Sequence, residues 1–454
     1  MTTEATEVPA GDVGSLYRTK EGLGVWKHRG KVAAVGIGHS PTMRRWDERP
    51  ETSVGAWAIL ALRKAMEDAG VTPDQVDGLV LGEETTTGSF WPAEKPIPED
   101  FLNAFQQTDN PLDGLAKLSA AWILKNMPEL TNVKTVITAP VCMSMVLTAA
   151  IQAVGDGRTH TCLVLKGWHN FSGRYYQGGA NAQDTVAGPG KFGQALAGPA
   201  SYGTAMQFQR YLHKYGKTHE MMAPFVVNSR RNGLLFPEGY WAQHRPEPLT
   251  AEDYNNARWV AKPANLFDND IPIQAAGAYL ITTAERAKDM RQKPVYVLGH
   301  AGAGRFENGL YLGAKSRGVI ETLEEAQGNA ASTGRKLFEA AGIQSTDIDF
   351  ENMYDGFGLF HVFHIEGIRY AGIKEGEALD LFQNDISIDS AFPVSPSGGN
   401  IGSGRTRFWN HTDSIQQLQG RAGARQMKKQ VEVGLSGGFM PFWSNFVVWS
   451  SSPD

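Results

Sequence analysis

Arg335-Lys-Leu-Phe-Glu-Ala-Ala-Gly-Ile-Gln-Ser-Thr-Asp-Ile-Asp349 lies without a gap on Arg63-Lys-Ala-Met-Glu-Asp-Ala-Gly-Val-Thr-Pro-Asp-Gln-Val-Asp77. Arg, Lys, Glu, Ala, Gly and the closing Asp coincide at a constant offset, 335 − 63 = 349 − 77 = 272. Each copy reads as a helix, a glycine stop and the approach to a strand. Shared cap chemistry accounts for part of the likeness, because Ala-Gly helix endings are common. A duplicated α/β unit is the better reading.

Outward from the first copy, Lys31 to Gly38 is a short buried strand, Ser53 to Ala69 a helix stopped by Gly70, and Val76 to Gly82 the next strand. Thr135 to Thr138 and Thr161 to Lys166 are further strands, with a small-residue helix from Met143 to Val154 between them. From Trp168 to Asn269 the pattern changes to aromatic and glycine-rich loops with short helices, an insertion over one sheet. Ala276 to Thr283 closes the first half and Pro294 to Gly299 opens the second. The expected organisation is an extension over 1–30, mobile or draped over a neighbour. An N-terminal half follows over 31–290 with a loop domain at about 168–270, and a C-terminal half over 291–454.

The 454 residues are ample for a large core, and the formal net charge of −5 gives no sign of nucleic acid or an anionic membrane as partner. Cys142 and Cys162 are too few for a disulfide framework or a four-cysteine zinc site. With no apolar leader and no apolar run long enough to span a bilayer, the expectation is a soluble, cytoplasmic protein.

The second copy feeds Asp349-Phe-Glu-Asn-Met-Tyr-Asp-Gly-Phe357, a strand that breaks at Gly356 and leaves Tyr354 and Asp355 at its carboxyl end. Open α/β sheets place their chemistry there. The structural alternative is a buried Tyr beside an Asp that caps the following helix. His361 and His364, with Glu366, lack a third convergent ligand, so no metal is expected. No Walker or dinucleotide fingerprint is present, and NAD is not expected.

Met353-Tyr-Asp-Gly-Phe357 with Glu366-Gly367, Ser395-Pro-Ser-Gly-Gly-Asn400, Gln417-Leu-Gln-Gly-Arg-Ala-Gly423 and Asn170-Phe-Ser-Gly-Arg174 occur in an order that resembles the thiolase superfamily. The branch is that of the sterol-carrier-protein and lipid-transfer-protein thiolases. The resemblance implies an α/β, duplicated thiolase fold, five-layered α-β-α-β-α with an inserted loop domain, and a homodimer. Thiolases use a nucleophilic Cys at a helix N-terminus, where backbone N–H groups favour the thiolate. Cys142 is the candidate, although counting back from Ala149-Ala-Ile-Gln-Ala-Val154 puts the nucleophile's position on Pro140 and leaves Cys142 as a buried structural thiol. Where thiolases carry Gly-His-Pro, this chain reads Gly404-Arg405-Thr406, and the final Cys loop is replaced by Leu435-Ser-Gly-Gly438. Claisen chemistry lacks its base and its proton acceptor without them.

The chain also resembles the superfamily's steroid side-chain aldolases, in which tyrosines cleave a β-hydroxyacyl-CoA by retro-aldol chemistry. Their Tyr-Asp-x-Phe loop matches Tyr354 to Phe357. Their second tyrosine aligns with Arg405. The resemblance implies that Tyr354 moves the hydroxyl proton, Asp355 positions the loop, and Arg405 with His411 stabilises the oxyanion. Tyrosine acts as a base only when a cation favours its phenolate. Asp355 as a helix cap, Arg405 as a loop-anchoring ion pair and His411 as a satisfied histidine are the structural alternatives. Gly398, Gly399 and Gly404 are expected to admit the thioester or pantetheine, with no bound cofactor and CoA present only in the substrate. A small partner with an OB-fold and a zinc ribbon is implied, with Phe439-Met-Pro-Phe-Trp443 as interface or core. The alternatives are an acyltransferase using Cys142 and a non-catalytic acyl-CoA-binding subunit.

Overall fold

The computed structural model describes residues 6–7, 16–85, 91–92, 94–139, 142–173, 201–303 and 322–454. Pro140 lies outside these residues, as does 174–200 of the expected loop domain.

The repeat seen in the sequence is a repeat in space. Helix α1 (Val54–Ala69) ends at Gly70 with φ 71°, a left-handed conformation that a residue without Cβ adopts freely. Strands β1 (Thr6–Glu7), β2 (Val32–His39), β3 (Gly78–Gly82), β4 (Thr135–Thr138) and β5 (Thr161–Trp168) build the first half with the small-residue helix α2 (Met143–Gly155). An insertion follows, with helices α3 (Ser201–Tyr215) and α4 (Ala223–Leu234) and a hairpin of β6 (Trp259–Ala261) and β7 (Ala264–Asn265), before β8 (Ala275–Thr283) returns to the sheet.

The second half comprises β9 (Val295–Gly302), α5 (Leu323–Ala341), β10 (Phe350–Met353), α6 (Gly358–Ile368), α7 (Gly399–Ser403), α8 (Trp409–Gln419), β11 (Val433–Gly437) and β12 (Asn445–Ser450). Helix α5 also ends at a left-handed glycine, Gly342, at the same offset, 342 − 70 = 272.

The closing Asp of each copy clamps the neighbouring parallel strand. Asp77 accepts the N–H of Thr161 at 2.8 Å, and Asp349 accepts that of Val433 at 2.9 Å, again 433 − 161 = 272 apart. These carboxylates satisfy N–H groups where β5 and β11 begin, before the ladder takes over.

The strands join in the order β1-β4-β3-β5-β8-β2-β9-β12-β11-β10. In the first half β3 and β5 are parallel, while β5, β8 and β2 alternate in direction. In the second half β10 and β11 are parallel, while β11, β12 and β9 alternate. The two half-sheets meet edge to edge where Ala33 and Ala34 pair with Tyr296 and Val295, so they form one ten-stranded sheet. Helix α1 packs on β2, β5 and β8, and α5 packs on β9 and α6. Helices α2 and α8 fill the middle, α2 touching β5 and β12 and α8 touching β10 and β11. Met143 to Val154 of α2 are all buried, so the helix shows no solvent-facing side, and its polar stripe of Ser144, Thr148 and Gln152 is hydrogen-bonded inside the protein.

The N-terminal extension, where described, is pinned to both halves of its own chain, with β1 pairing β4 of the first half and residues 22–26 bonding the second. Trp26 donates its N–H to the Ala340 carbonyl at 2.8 Å, and Glu339 accepts the N–H groups of Gly22 and Gly24. Among the described residues, no helix is long and apolar enough to cross a membrane.

Candidate active site

Duplication brings the N-termini of α2 and α8 together at the carboxyl ends of β10 and β11. Ser144, in the first turn of α2, places its Oγ 2.9 Å from Nε2 of His411, in the first turn of α8. Asn410 donates to the Met353 carbonyl at 2.8 Å. Tyr354 continues β10 into this junction, its N–H on the Gly437 carbonyl at 2.8 Å.

The Tyr354 ring is buried edge-on to Phe439, with centroids 5.3 Å apart, and folds over Gly356, where a Cβ would collide with the phenol. Burial pushes its phenol up to about 12, and the Arg407 guanidinium is the strongest influence pulling it back. Tyr354 is therefore protonated at neutral pH.

Asp355 does not cap the helix that follows it, since the N-cap residue of α6 is Phe357 with no side-chain cap, and instead reaches across to α7. Its carboxylate accepts N–H groups from Asn400 at 2.7 Å and Ile401 at 3.1 Å, holding the start of α7. Burial raises its acid to about 7 against those bonds. The side-chain oxygen of Asn400 in turn accepts the N–H groups of Arg407 at 2.7 Å and Thr406 at 3.2 Å. Asp355 thus positions Arg407 through Asn400. The Arg407 Cζ lies 4.3 Å from the Phe439 ring centroid and 5.5 Å from that of Tyr354.

Arg405 does not offer a free charge. Its Nε lies 2.8 Å from both carboxylate oxygens of Asp270 and its Nη2 lies 2.7 Å from one, in a buried pair. Its N–H also bonds the Ile271 carbonyl at 2.8 Å. The loop-anchoring reading holds, and Arg407 takes the place expected of Arg405 beside Tyr354.

Cys142 does stand at a helix N-terminus, as the cap residue of α2 with extended backbone. Its thiol is nevertheless raised, because complete burial outweighs the lowering from Arg407, the N–H groups of Met145 and Ser144, and Lys166. Among the described residues, no imidazole is hydrogen-bonded to it. His411 lies between Ser144 and Ser436, its Nδ1 2.6 Å from Ser436 Oγ, and burial pushes it down to about 3. It is a neutral, satisfied histidine and supplies no charge to an oxyanion.

Residues 316–448 match the family described as "Thiolase C-terminal domain-like". Over 399 residues the chain is 25% identical to 17-hydroxy-3-oxo-4-pregnene-20-carboxyl-CoA lyase of Mycobacterium tuberculosis, covering 86% of this chain and 92% of that protein. The C-terminal part of the chain thus matches a thiolase domain, and most of the chain is similar to acyl-CoA lyases built on that fold. Over 384 residues it is 25% identical to the steroid side-chain-cleaving aldolase of Thermomonospora curvata, covering 82% of this chain and 86% of that one. The solved Ltp2-ChsH2(DUF35) aldolase superposes with a TM-score of 0.68 at 20% identity, over 93% of this chain and 98% of that one.

The glycines expected to face substrate in this thiolase fold instead admit protein. A Cβ on Gly398 would strike the Gly233 backbone, one on Gly399 the Asp355 carboxylate, and one on Gly404 the Ile273 and Tyr240 side chains. They let α4 and α7 close on each other and on Asp355. His361 lies 3.1 Å from Glu351, and His364 donates to the Phe439 carbonyl at 2.6 Å, so each histidine has a partner within the protein. Phe439 is buried site wall, not exposed interface.

Sequence reasoning missed Arg407 and Lys166, and it quoted Asn400 and Phe439 within longer stretches without giving either a role beside Tyr354. Lys166 is buried, pushed down to about 8 by burial and then by Arg407, and donates to the Gly82 and Glu84 carbonyls. A lone lysine in an otherwise apolar central strand was the available signal.

Proposed function

We propose that this chain is an acyl-CoA aldolase, a carbon–carbon lyase that cleaves a β-hydroxyacyl-CoA to a ketone or aldehyde and a shorter acyl-CoA. The observation that carries this reading is Tyr354, a buried phenol at a strand terminus with a guanidinium beside it, in a site whose thiol is raised and has no base.

In this reading the Tyr354 phenolate takes the proton of the β-hydroxyl. The Cα–Cβ bond breaks, the β-carbon becomes a carbonyl, and the electron pair moves onto the thioester as an enolate. Tyr354 then returns the proton to Cα, so atoms and charge balance. Asp355 acts by position, through α7. Because the resting phenol lies above its ordinary value, turnover rises with pH through the neutral range.

The names of the two relatives support the substrate class. In 17-hydroxy-3-oxo-4-pregnene-20-carboxyl-CoA the hydroxyl stands β to the thioester carbonyl, as a retro-aldol cleavage requires. We extend the proposal to a cytoplasmic homodimer working with a small OB-fold, zinc-ribbon partner. The solved aldolase named as an Ltp2-ChsH2(DUF35) pair supports the presence of a partner protein in that extension.

The test is incubation of the purified chain with that CoA thioester, and with aromatic and short β-hydroxyacyl-CoAs, with and without the partner. No free CoA is added, and products are read by mass. Ketone or aldehyde plus shorter acyl-CoA is the expected outcome. Cleavage only of β-ketoacyl-CoA, and only with free CoA, would assign the acyltransferase reading to Cys142. Binding without turnover would assign a non-catalytic subunit.

A further inference from the structure

Arg407 combines three features that a loop anchor does not need. Its backbone is left-handed, with φ 55°, a conformation that costs a residue bearing a Cβ and persists where surrounding structure enforces it. Asn400 enforces it by accepting the Arg407 N–H, and Asn400 is itself held by Asp355, the residue after Tyr354. Its Nε is buried without a hydrogen-bond partner, and the guanidinium pairs with no carboxylate among the described residues. A guanidinium held in strained backbone, laid on Phe439 and without a counter-ion among the described residues is arranged for an anion that arrives or forms during the reaction.

Two anions can form within its reach. One is the Tyr354 phenolate and the other the enolate of the substrate thioester. The other groups around Tyr354 do not supply the charge. Arg405 and Asp270 act on it with opposite sign and are paired with each other. Lys166, the second buried cation near Arg407, donates to backbone carbonyls. Cys142 is the remaining ionisable group that Arg407 influences.

We propose that Arg407 is the positioning residue that makes Tyr354 a proton acceptor, its guanidinium holding the phenolate in place of the cation expected at Arg405. The proposal rests on the aldolase reading and deepens it. Arg407 forms no bond. It stabilises the tyrosine after the proton leaves and is relieved when Tyr354 returns that proton to the enolate carbon.

The experiment uses the full chain with 17-hydroxy-3-oxo-4-pregnene-20-carboxyl-CoA as probe. It compares wild type, Arg407→Gly, Arg407→Lys, Arg407→Gln and Arg405→Gln. Glycine removes both guanidinium and strain, so Arg407→Gly is expected to melt no lower than wild type while kcat falls about 100- to 1000-fold. Added guanidinium is expected to restore part of that rate. The alkaline limb of kcat moves to higher pH in Arg407→Gln and stays near wild type in Arg407→Lys, a contrast that a structural role would not produce.

The thiolate absorbance of Cys142, read as wild type minus Cys142→Ala, gives a readout that needs neither substrate nor reagent access to the buried thiol. Its pH limb is expected to move upward in Arg407→Gln and to stay in place in Arg405→Gln. Unchanged kcat and an unchanged limb in Arg407→Gly, or the limb shift appearing in Arg405→Gln instead, would overturn the assignment. Failure of the aldolase reading is separable. In that case Tyr354→Phe keeps full turnover, or wild type does not cleave the probe, whatever Arg407 does to Cys142.

Discussion

At the end of β3, Gly82 faces Lys166 on β5. At the same point of the second half, 82 + 272 = 354 and 166 + 272 = 438, Tyr354 faces Gly438. Large and small residues have changed places across the parallel pair. In the first half the lysine lies over the glycine, its Cδ 2.7 Å from where a Gly82 Cβ would stand, and donates to backbone carbonyls. In the second half the glycine leaves room for the tyrosine, whose Cβ would lie 3.1 Å from a Cβ on Gly438. One scaffold thus carries a self-satisfied cation on one side and, on the other, a phenol beside a guanidinium that has no carboxylate partner among the described residues. Duplication supplies the geometry, and the chemistry comes from what breaks the symmetry.

The loop before α8 gives the largest expected stability effect. Arg405→Gln takes the guanidinium away from the buried Asp270 carboxylate, and unfolding titrations are expected to show a loss of about 3–5 kcal/mol. A loss near zero would mean that the pair anchors nothing. Restoring a side chain opposite Tyr354 is the next way to break the asymmetry. Gly438 has φ 101°, and Gly438→Ala sets a methyl against Tyr354 and the Phe446 ring. The expectation is a loss of about 1–3 kcal/mol together with lower kcat, read by melting and steady-state rates. Wild-type turnover in that variant would show that the exchange of sizes is incidental.

The last effect is read in pH. His411 is depressed to about 3, below its ordinary value of 6.5. A depressed histidine contributes its stability in full above pH 6.5 and loses it as the pH falls toward the folded value, by about 1.4 kcal/mol per pH unit. The stability gap between wild type and His411→Asn is therefore expected to narrow from pH 7 to pH 4. A gap that stays constant would mean His411 is not held neutral.

Much of the scaffold was legible because the repeated residues have local jobs. Gly70 and Gly342 end helices, and Asp77 and Asp349 clamp the next strand. Tyr354 and Asp355 stood out because a polar pair terminates an apolar strand. The division of labour between Arg405 and Arg407 was not legible. They sit two apart in one loop, and only Asp270, 135 residues away in sequence, decides which is neutralised. Cys142 shows the same limit, since its place at the start of α2 is a matter of register while its raised thiol is a matter of burial. The glycines of the 398–404 turn carried a real signal of close approach. What approaches them is a packing neighbour that sequence spacing does not reveal.

The most direct test sets the two candidate reactive groups against each other. Turnover of 17-hydroxy-3-oxo-4-pregnene-20-carboxyl-CoA, without free CoA, is measured for Tyr354→Phe and Cys142→Ala. Tyr354→Phe is expected to lose about 100- to 10,000-fold in kcat, the range for removing a general acid–base group, while Cys142→Ala cleaves at close to the wild-type rate. Cleavage that survives Tyr354→Phe and disappears in Cys142→Ala would contradict the aldolase reading and assign the chemistry to the thiol at the start of α2.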